Sequence, residues 1–457
     1  MAAQAQAKPK KSGFKVPHML FLLFGMMVLM TALTYVLPAG EFVDGVYTRV
    51  EQNPVNPGQM LMYIYTGLVN SATVIAVLLA SGGAIGVTMG TGALDRVIDG
   101  CVYKLRDKGI SVLVPIMFLL MALLGAFGGG DSLIAVVPIG VMFAQKLRLD
   151  PISGASISLL GTLTGFACRP GGSYTAQSIM GITLYSGYNL RLVFLLVTAV
   201  VGALYVTWYA KRIEKDPSKS AMGDLSWQAD LNSSLEMEEK HITGRDLLIT
   251  ALFIAQFPVA ITLNLSLGLG NAVMPAVLIP VAILCGLING LKTDQIGKLF
   301  EKGVANMGFI AFIIGFAGAI SLIMQEGKIL DTIAYYACMP LESLSKGFAA
   351  IGISAVVWVL DIFVPSASAK VAAMMPLIKP IATHLGLEGQ VAVQAFLIGD
   401  GFGNIISPFL GWTMGGLAVA KVPYNKWLKW CLPYLALMLA LHWALLYYLA
   451  TIGWTGM

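Results

Sequence analysis

The chain has 457 residues, 57% of them hydrophobic and only 12% charged, with a formal net charge of +5. A soluble domain carries about 25% charged residues, so this composition excludes an ordinary soluble enzyme and calls for a membrane. Four histidines and the five cysteines (Cys101, Cys168, Cys285, Cys338 and Cys431) are scattered. They form no CxxC or Cys/His cluster, so no metal or nucleophile constellation is expected and the cysteines read as small apolar fillers.

Apolar runs of about 20 residues, the length that spans a bilayer, recur along the chain. Lys8, Lys10, Lys11 and Lys15 precede the first, from Val16 to Leu37, which predicts a cytoplasmic N-terminus. That run lacks a small-residue cleavage site, so no signal peptide is expected. A second span runs from Thr66 to Gly90, followed by an amphipathic stretch, Leu94 to Lys108, suited to the inner interface. Two arms, Ile110–Phe127 and Leu133–Leu147, then flank Gly128-Gly129-Gly130-Asp131-Ser132 and read as a hairpin over 110–148. A long segment from Ile152 to Leu184 is broken at Arg169-Pro170-Gly171-Gly172-Ser173, and Leu190 to Ala210 returns to a polar stretch.

That stretch, 211–245, is the candidate linker, cytoplasmic by its Lys/Arg content and partly helical. The span 246–267 has no counterpart in the first half, so it inverts the orientation of the second half. Basic residues in Leu291–Lys302, read as a loop, and their lack in Cys338–Ser345 agree. A second hairpin over 347–386 surrounds Val364-Pro365-Ser366-Ala367-Ser368-Ala369-Lys370, and a broken segment from Val391 to Ala420 precedes the last span. The predicted organisation is a tail (1–15), a first repeat (16–210), the linker, the orientation-flipping span and a second, inverted repeat (268–457). The fold class is an all-α polytopic membrane protein with about nine spans and two re-entrant hairpins.

The repeat is visible in the residues. A constant shift of 238 places Pro138 on Pro376, Gly161 on Gly399, Gly165 on Gly403 and Pro170 on Pro408. Duplicated halves with Gly/Pro-broken apolar segments point to the binding site of a secondary transporter. Each half holds one acid and one base in its apolar stretches: Asp131 and Arg169, then Lys370 and Asp400. Intramembrane ionisable groups are functional by default. Lys370 lies in or near the first turn of a helix, where the dipole disfavours a cation, so an anionic partner is expected there. The alternative is structural pairing with Asp400 or Glu326. Arg169 could bind a carboxylate bidentately or snorkel to an interface. Asp131 and Asp400 are the candidate coupling carboxylates. Asn404 and Ser407 at the second break, and Thr164, Ser173 and Thr175 at the first, offer polar groups that any helix break also needs for itself.

Thr34-Tyr35-Val36-Leu37-Pro38-Ala39-Gly40-Glu41-Phe42, the run from Gly399 to Pro408, and Val422-Pro423-Tyr424-Asn425-Lys426-Trp427 resemble the YfcC family of transporters. The tip from Ser366 to Lys370 instead resembles that of the p-aminobenzoyl-glutamate transporter (AbgT) family. Both belong to the ion transporter superfamily. The resemblance implies inverted repeats, two re-entrant hairpins, a homodimer and elevator-type movement. It also implies that Ser366, Ser368 and Lys370 meet Asp400, Asn404 and Ser407 at the substrate site. With the first break, the expected substrate set is Ser132, Arg169, Gly171, Ser173, Thr175, Ser366, Ser368, Lys370, Asn404 and Ser407.

The residues thus predict a secondary transporter of the bacterial inner membrane, driven by H⁺ or Na⁺, for a small carboxylate-bearing solute: a dicarboxylate, amino acid or acylated amino acid. The expected partners are that solute and the lipid bilayer, with no nucleic acid and no cofactor beyond the coupling ion. The alternative is a basic amino acid antiporter, as YfcC relatives are labelled, against which Arg169 and Lys370 stand. A membrane-embedded enzyme is not expected, for want of a nucleophile–base pair or metal cluster. A channel would differ from a carrier in failing to concentrate its solute.

Overall fold

The computed structural model describes residues 19–43, 46–94, 96–97, 100, 109–127, 133–134, 136–183, 186–223, 226–228, 242–267, 273–364 and 367–456. They are helical almost throughout. The only sheet among them is a hairpin, β1 (Gly40–Val43) against β2 (Val46–Arg49). Among the described residues five helices are long and apolar enough to cross a membrane, or six if the bent pair Pro57–Asn70 and Ile75–Gly90, with an angle of 56°, is one span. Shorter apolar helices, Leu23–Val36 and Val273–Ile288, accompany them. The chain is a multi-pass membrane protein.

The first half begins with α1 (Met19–Val36), α2 (Pro57–Asn70) and α3 (Ala72–Gly90). The second span was expected to start at Thr66, but helix begins at Pro57. Asn56 caps it reciprocally with Gln59, each side chain accepting the other's backbone N–H at 2.9 Å. The hairpin arms come next as α4 (Ile110–Phe127) and α5 (Val137–Lys146). The broken segment is α6 (Pro151–Ala155), a π turn (Ser156–Leu160) and α7 (Gly161–Ala167), then α8 (Tyr174–Met180) beyond the break. The long α9 (Tyr188–Lys215) closes the half.

In the second half, α10 (Gly244–Leu267), α11 (Val273–Ile288) and α12 (Thr293–Glu326) precede a short α13 (Leu330–Cys338). The expected loop Leu291–Lys302 is instead mostly the start of α12. Gln295 accepts the Lys292 N–H at 2.9 Å, and Asp294 meets Lys298 one turn on at 2.8 Å, so these charges start a helix. The second hairpin comprises α14 (Lys346–Phe363) and α15 (Ala367–His384). The second broken segment is α16 (Gly389–Gly403) and α17 (Gly411–Val419), with α18 (Tyr424–Ile452) after it.

Glycines related by the 238-residue shift pack alike. A Cβ on Gly161 would lie 3.3 Å from the Phe118 carbonyl of α4, and one on its counterpart Gly399 would lie 2.5 Å from the Ser354 carbonyl of α14. Each broken helix is therefore pressed backbone to backbone against the first arm of its own hairpin, as small residues permit in membranes. The two broken helices also meet each other: a Cβ on Gly401 would run into the backbone of Ala167. Phe166 lies edge-on to Trp412, with centroids 5.4 Å apart. These contacts bring the two breaks together.

At one end of the packed helices Asp150, fully buried, caps α6 and accepts hydrogen bonds from Ser153 N (2.9 Å), Tyr209 (2.6 Å) and Ser220 (2.6 Å). The start of the expected linker is thereby anchored.

Candidate functional site: four charges where the breaks meet

Lys370 stands in the first turn of α15, where it is 1% exposed. Asp400 stands in the last turn of α16 and Asp361 near the end of α14, both 0% exposed. Each of these three sits at the helix end that disfavours its sign. They satisfy one another instead. Lys370 Nζ forms ion pairs with Asp400 Oδ1, at 2.8 Å, and with Asp361. Arg169, just past the end of α7, donates to Asp400 Oδ2 at 3.0 Å and to the Phe166 carbonyl at 3.2 Å. Its guanidinium lies 4.1 Å from the centroid of the Phe166 ring, and its side chain is 16% exposed.

The result is an alternating chain, Arg169–Asp400–Lys370–Asp361, with two positive and two negative charges. Burial of any one without its partner would be strongly unfavourable, because the low-dielectric interior cannot replace its hydration. Arg169 comes from the first half and the other three from the second, so the chain of charges ties the two halves together. Arg169 is held inward and does not snorkel. Of the two structural partners open to Lys370, it pairs with Asp400; Glu326 is exposed.

Polar groups of the second break surround this chain. Ser407 Oγ donates to the Asp361 carbonyl at 3.2 Å, and the Asn404 N–H points to the Asp400 carbonyl at 3.4 Å. Asn404 also accepts, through its carbonyl, the Thr413 hydroxyl. Its side-chain Oδ1 is buried and has no hydrogen-bond partner among the described residues. Lys370 thus meets Asp400, with Asn404 and Ser407 bonded to the backbone of Asp400 and Asp361 beside them.

At the first break the candidate residues lie in the helices and turns around it. Ser173 caps α8, accepting the Ala176 N–H at 3.3 Å. Thr164 pairs with Tyr434 at 2.7 Å, and Thr175 is exposed. Gly171 is half-buried beside Gly172, whose φ of +69° and whose contact with Arg191 suit glycine. Asp131, Ser132 and Ser366 lie outside the described residues, as does the side chain of Ser368.

Two residues escaped the sequence reading. Asp361 is a lone acid inside an apolar hairpin arm, and the rule that singled out Lys370 would have found it. Arg191 is 1% exposed and donates to Gln394 (2.8 Å), Gln390 (2.8 Å) and the Ser186 carbonyl (2.7 Å). The spacing of Gln390 and Gln394, one helical turn apart on α16, was its available signal.

Among known proteins, the chain is 26% identical to the YfcC protein of Escherichia coli (strain K12), whose name assigns it provisionally to basic amino acid antiport. That similarity covers 94% of this chain and 95% of the relative. An uncharacterized protein of Haemophilus influenzae (strain ATCC 51907 / DSM 11121 / KW20 / Rd) is 23% identical over 95% of this chain and 96% of its own length. Two solved AbgT-family structures are similar at 17% identity over 96% of this chain. They are the YdaH transporter of Alcanivorax borkumensis, with 100% of that chain covered and a TM-score of 0.45, and MtrF of Neisseria gonorrhoeae, with 96% covered and a TM-score of 0.49. MtrF is described with a class of antimetabolite efflux pumps. Residues 16–450 match the family described as DcuC, C4-dicarboxylate anaerobic carrier. The chain belongs to the DcuC family of membrane carriers.

Proposed function

We propose that this carrier is a cation-coupled secondary transporter that moves a C4-dicarboxylate, or a related small carboxylate, across the bacterial inner membrane by alternating access. The observation that carries the reading is the convergence of Arg169 and Lys370 on one buried aspartate where the two breaks meet. Two cations held by exchangeable carboxylates suit a substrate that brings carboxylates of its own. Charge-assisted hydrogen bonds from Arg and Lys are the strong ones available in such a site. Asp400, at the centre of the chain of charges, is the coupling carboxylate. It gives up its cationic partners to the substrate and takes an H⁺ or Na⁺ in exchange.

A second reading, basic amino acid antiport, is favoured by the similarity to YfcC and by the two buried carboxylates, which could hold a cationic side chain. Uptake of labelled succinate and of labelled arginine into proteoliposomes separates the two. The carboxylate reading expects succinate to accumulate under a Na⁺ or proton gradient and to leak away when the gradient is collapsed. Arginine exchange without succinate uptake would replace it with the second reading. Downhill flux that never concentrates would indicate a channel.

A further inference from the structure

We infer that Asp361 is a second coupling carboxylate: a cation neutralises it when a substrate carboxylate takes over Lys370. The inference rests on the proposed carboxylate transport and adds a residue and a stoichiometry to it. Asp361 is fully buried on α14, and Lys370 is its ion-pair partner. Its second oxygen, Oδ2, has no hydrogen-bond partner among the described residues. That oxygen lies against Gly403, where a Cβ would approach it to 2.5 Å. The next residue, Asn404, is 4% exposed and carries another buried side-chain oxygen with no hydrogen-bond partner among the described residues. Acceptors without donors, beside a carboxylate in a low-dielectric interior, are what a proton or a hard cation would satisfy.

The charge count leads to the same place. Arg169, Lys370, Asp361 and Asp400 together carry no net charge when no substrate is bound. A dicarboxylate engaging both cations displaces both aspartates and leaves them as two buried anions without partners, an arrangement protein interiors do not tolerate. One cation on Asp400 neutralises only half of the excess. A second on Asp361 restores neutrality. The competing view, that Asp361 is only a permanent strut for Lys370, leaves the cation count independent of its charge.

The test is the number of coupling cations per succinate, read as the reversal potential of flux in proteoliposomes clamped with K⁺ and valinomycin. Separate arms use a Na⁺ gradient at matched pH and a pH gradient without Na⁺, which identifies the ion. In Asp361→Asn the ratio should fall by one, so each turnover carries one more negative charge inward. Asp361→Glu, which keeps the carboxylate, should retain the wild-type ratio. An unchanged ratio in a folded Asp361→Asn protein overturns the inference, as does an equal drop in Asp361→Glu. If Asp361→Asn does not fold, the wild type decides: two or more cations per succinate are expected, and one overturns the inference. Absence of any C4-dicarboxylate transport by the wild type would instead defeat the carboxylate reading itself.

Discussion

The two broken helices occupy equivalent places in the repeat yet are built differently. The first, α6 to α7, is interrupted by the π turn Ser156–Leu160 and stitched by hydroxyls: Ser158 reaches the Gly154 carbonyl at 2.9 Å and Thr162 the Ser158 carbonyl at 3.0 Å. The second, α16, is one regular helix whose polar groups face outward to partners. Gln390 and Gln394 hold Arg191, and Asp400 holds Arg169. Thus α16 receives two arginines of the first half, one through neutral amides and one through a carboxylate. The difference separates a joint from a site. Amides give a guanidinium a permanent seat, whereas a carboxylate can be neutralised and let its cation go.

Substitutions can break or sharpen that contrast, and the largest effect belongs to Asp400. Asp400→Asn leaves Arg169 and Lys370 with one carboxylate between them. Breaking a buried ion pair costs about 3–5 kcal/mol, so thermal unfolding of the purified protein should show a large destabilisation. Gradient-driven accumulation should be abolished, because an amide cannot exchange a proton or balance Na⁺. Full accumulation would remove Asp400 from the coupling role.

Lys370→Met comes next. It keeps the apolar stem and removes the ammonium, and a charge-assisted hydrogen bond is worth about 1.5–3 kcal/mol. Dicarboxylate affinity measured by titration should therefore fall by about tenfold to a hundredfold. Lys370→Arg should rescue only in part, since a planar fork does not reproduce a point charge. Unchanged affinity in the Met variant would return Lys370 to a purely structural role.

Arg191→Met tests the joint. It strips donors from Gln390, Gln394 and the Ser186 carbonyl, and an unsatisfied buried acceptor costs about 1–3 kcal/mol. Stability should drop while substrate selectivity in competition assays stays as it was. A change of selectivity would make Arg191 part of the site. Smallest of all is Thr175→Ala at an exposed position. Surface changes of this kind stay within about 0.5 kcal/mol, and uptake should be that of the wild type.

Three of the four charges that meet were legible in the sequence because ionisable residues are rare in apolar segments. Arg169, Lys370 and Asp400 stood out on that ground, and so did the glycine pairs Gly161/Gly399 and Gly165/Gly403. Their pairing stayed open: Asp400 and Glu326 were both available to Lys370, and Asp361 was not among them. Whether Lys370 faces a vacant pocket or an aspartate depends on the register of α14 against α15, and no local pattern encodes it. Asp361 answers to the same rule, as a lone acid inside an apolar arm, but was not weighed. The start of α12 was misread: its lysines were counted as loop charges before their helical spacing was considered. The π turn carries a tertiary contact, the Ser158 hydroxyl on the Val137 carbonyl at 3.2 Å, that sequence spacing does not announce.

The central claim is that substrate carboxylates replace the aspartates on Arg169 and Lys370, and ligand-induced thermal stabilisation of the purified protein tests it most directly. A ligand present at a hundred times its Kd adds about 2.7 kcal/mol to the stability of the native state. Succinate and related C4-dicarboxylates should stabilise the wild type in this way, and Arg169→Gln should lose that stabilisation. Stabilisation by arginine or ornithine with none by any dicarboxylate, or full succinate stabilisation of Arg169→Gln, would contradict the account.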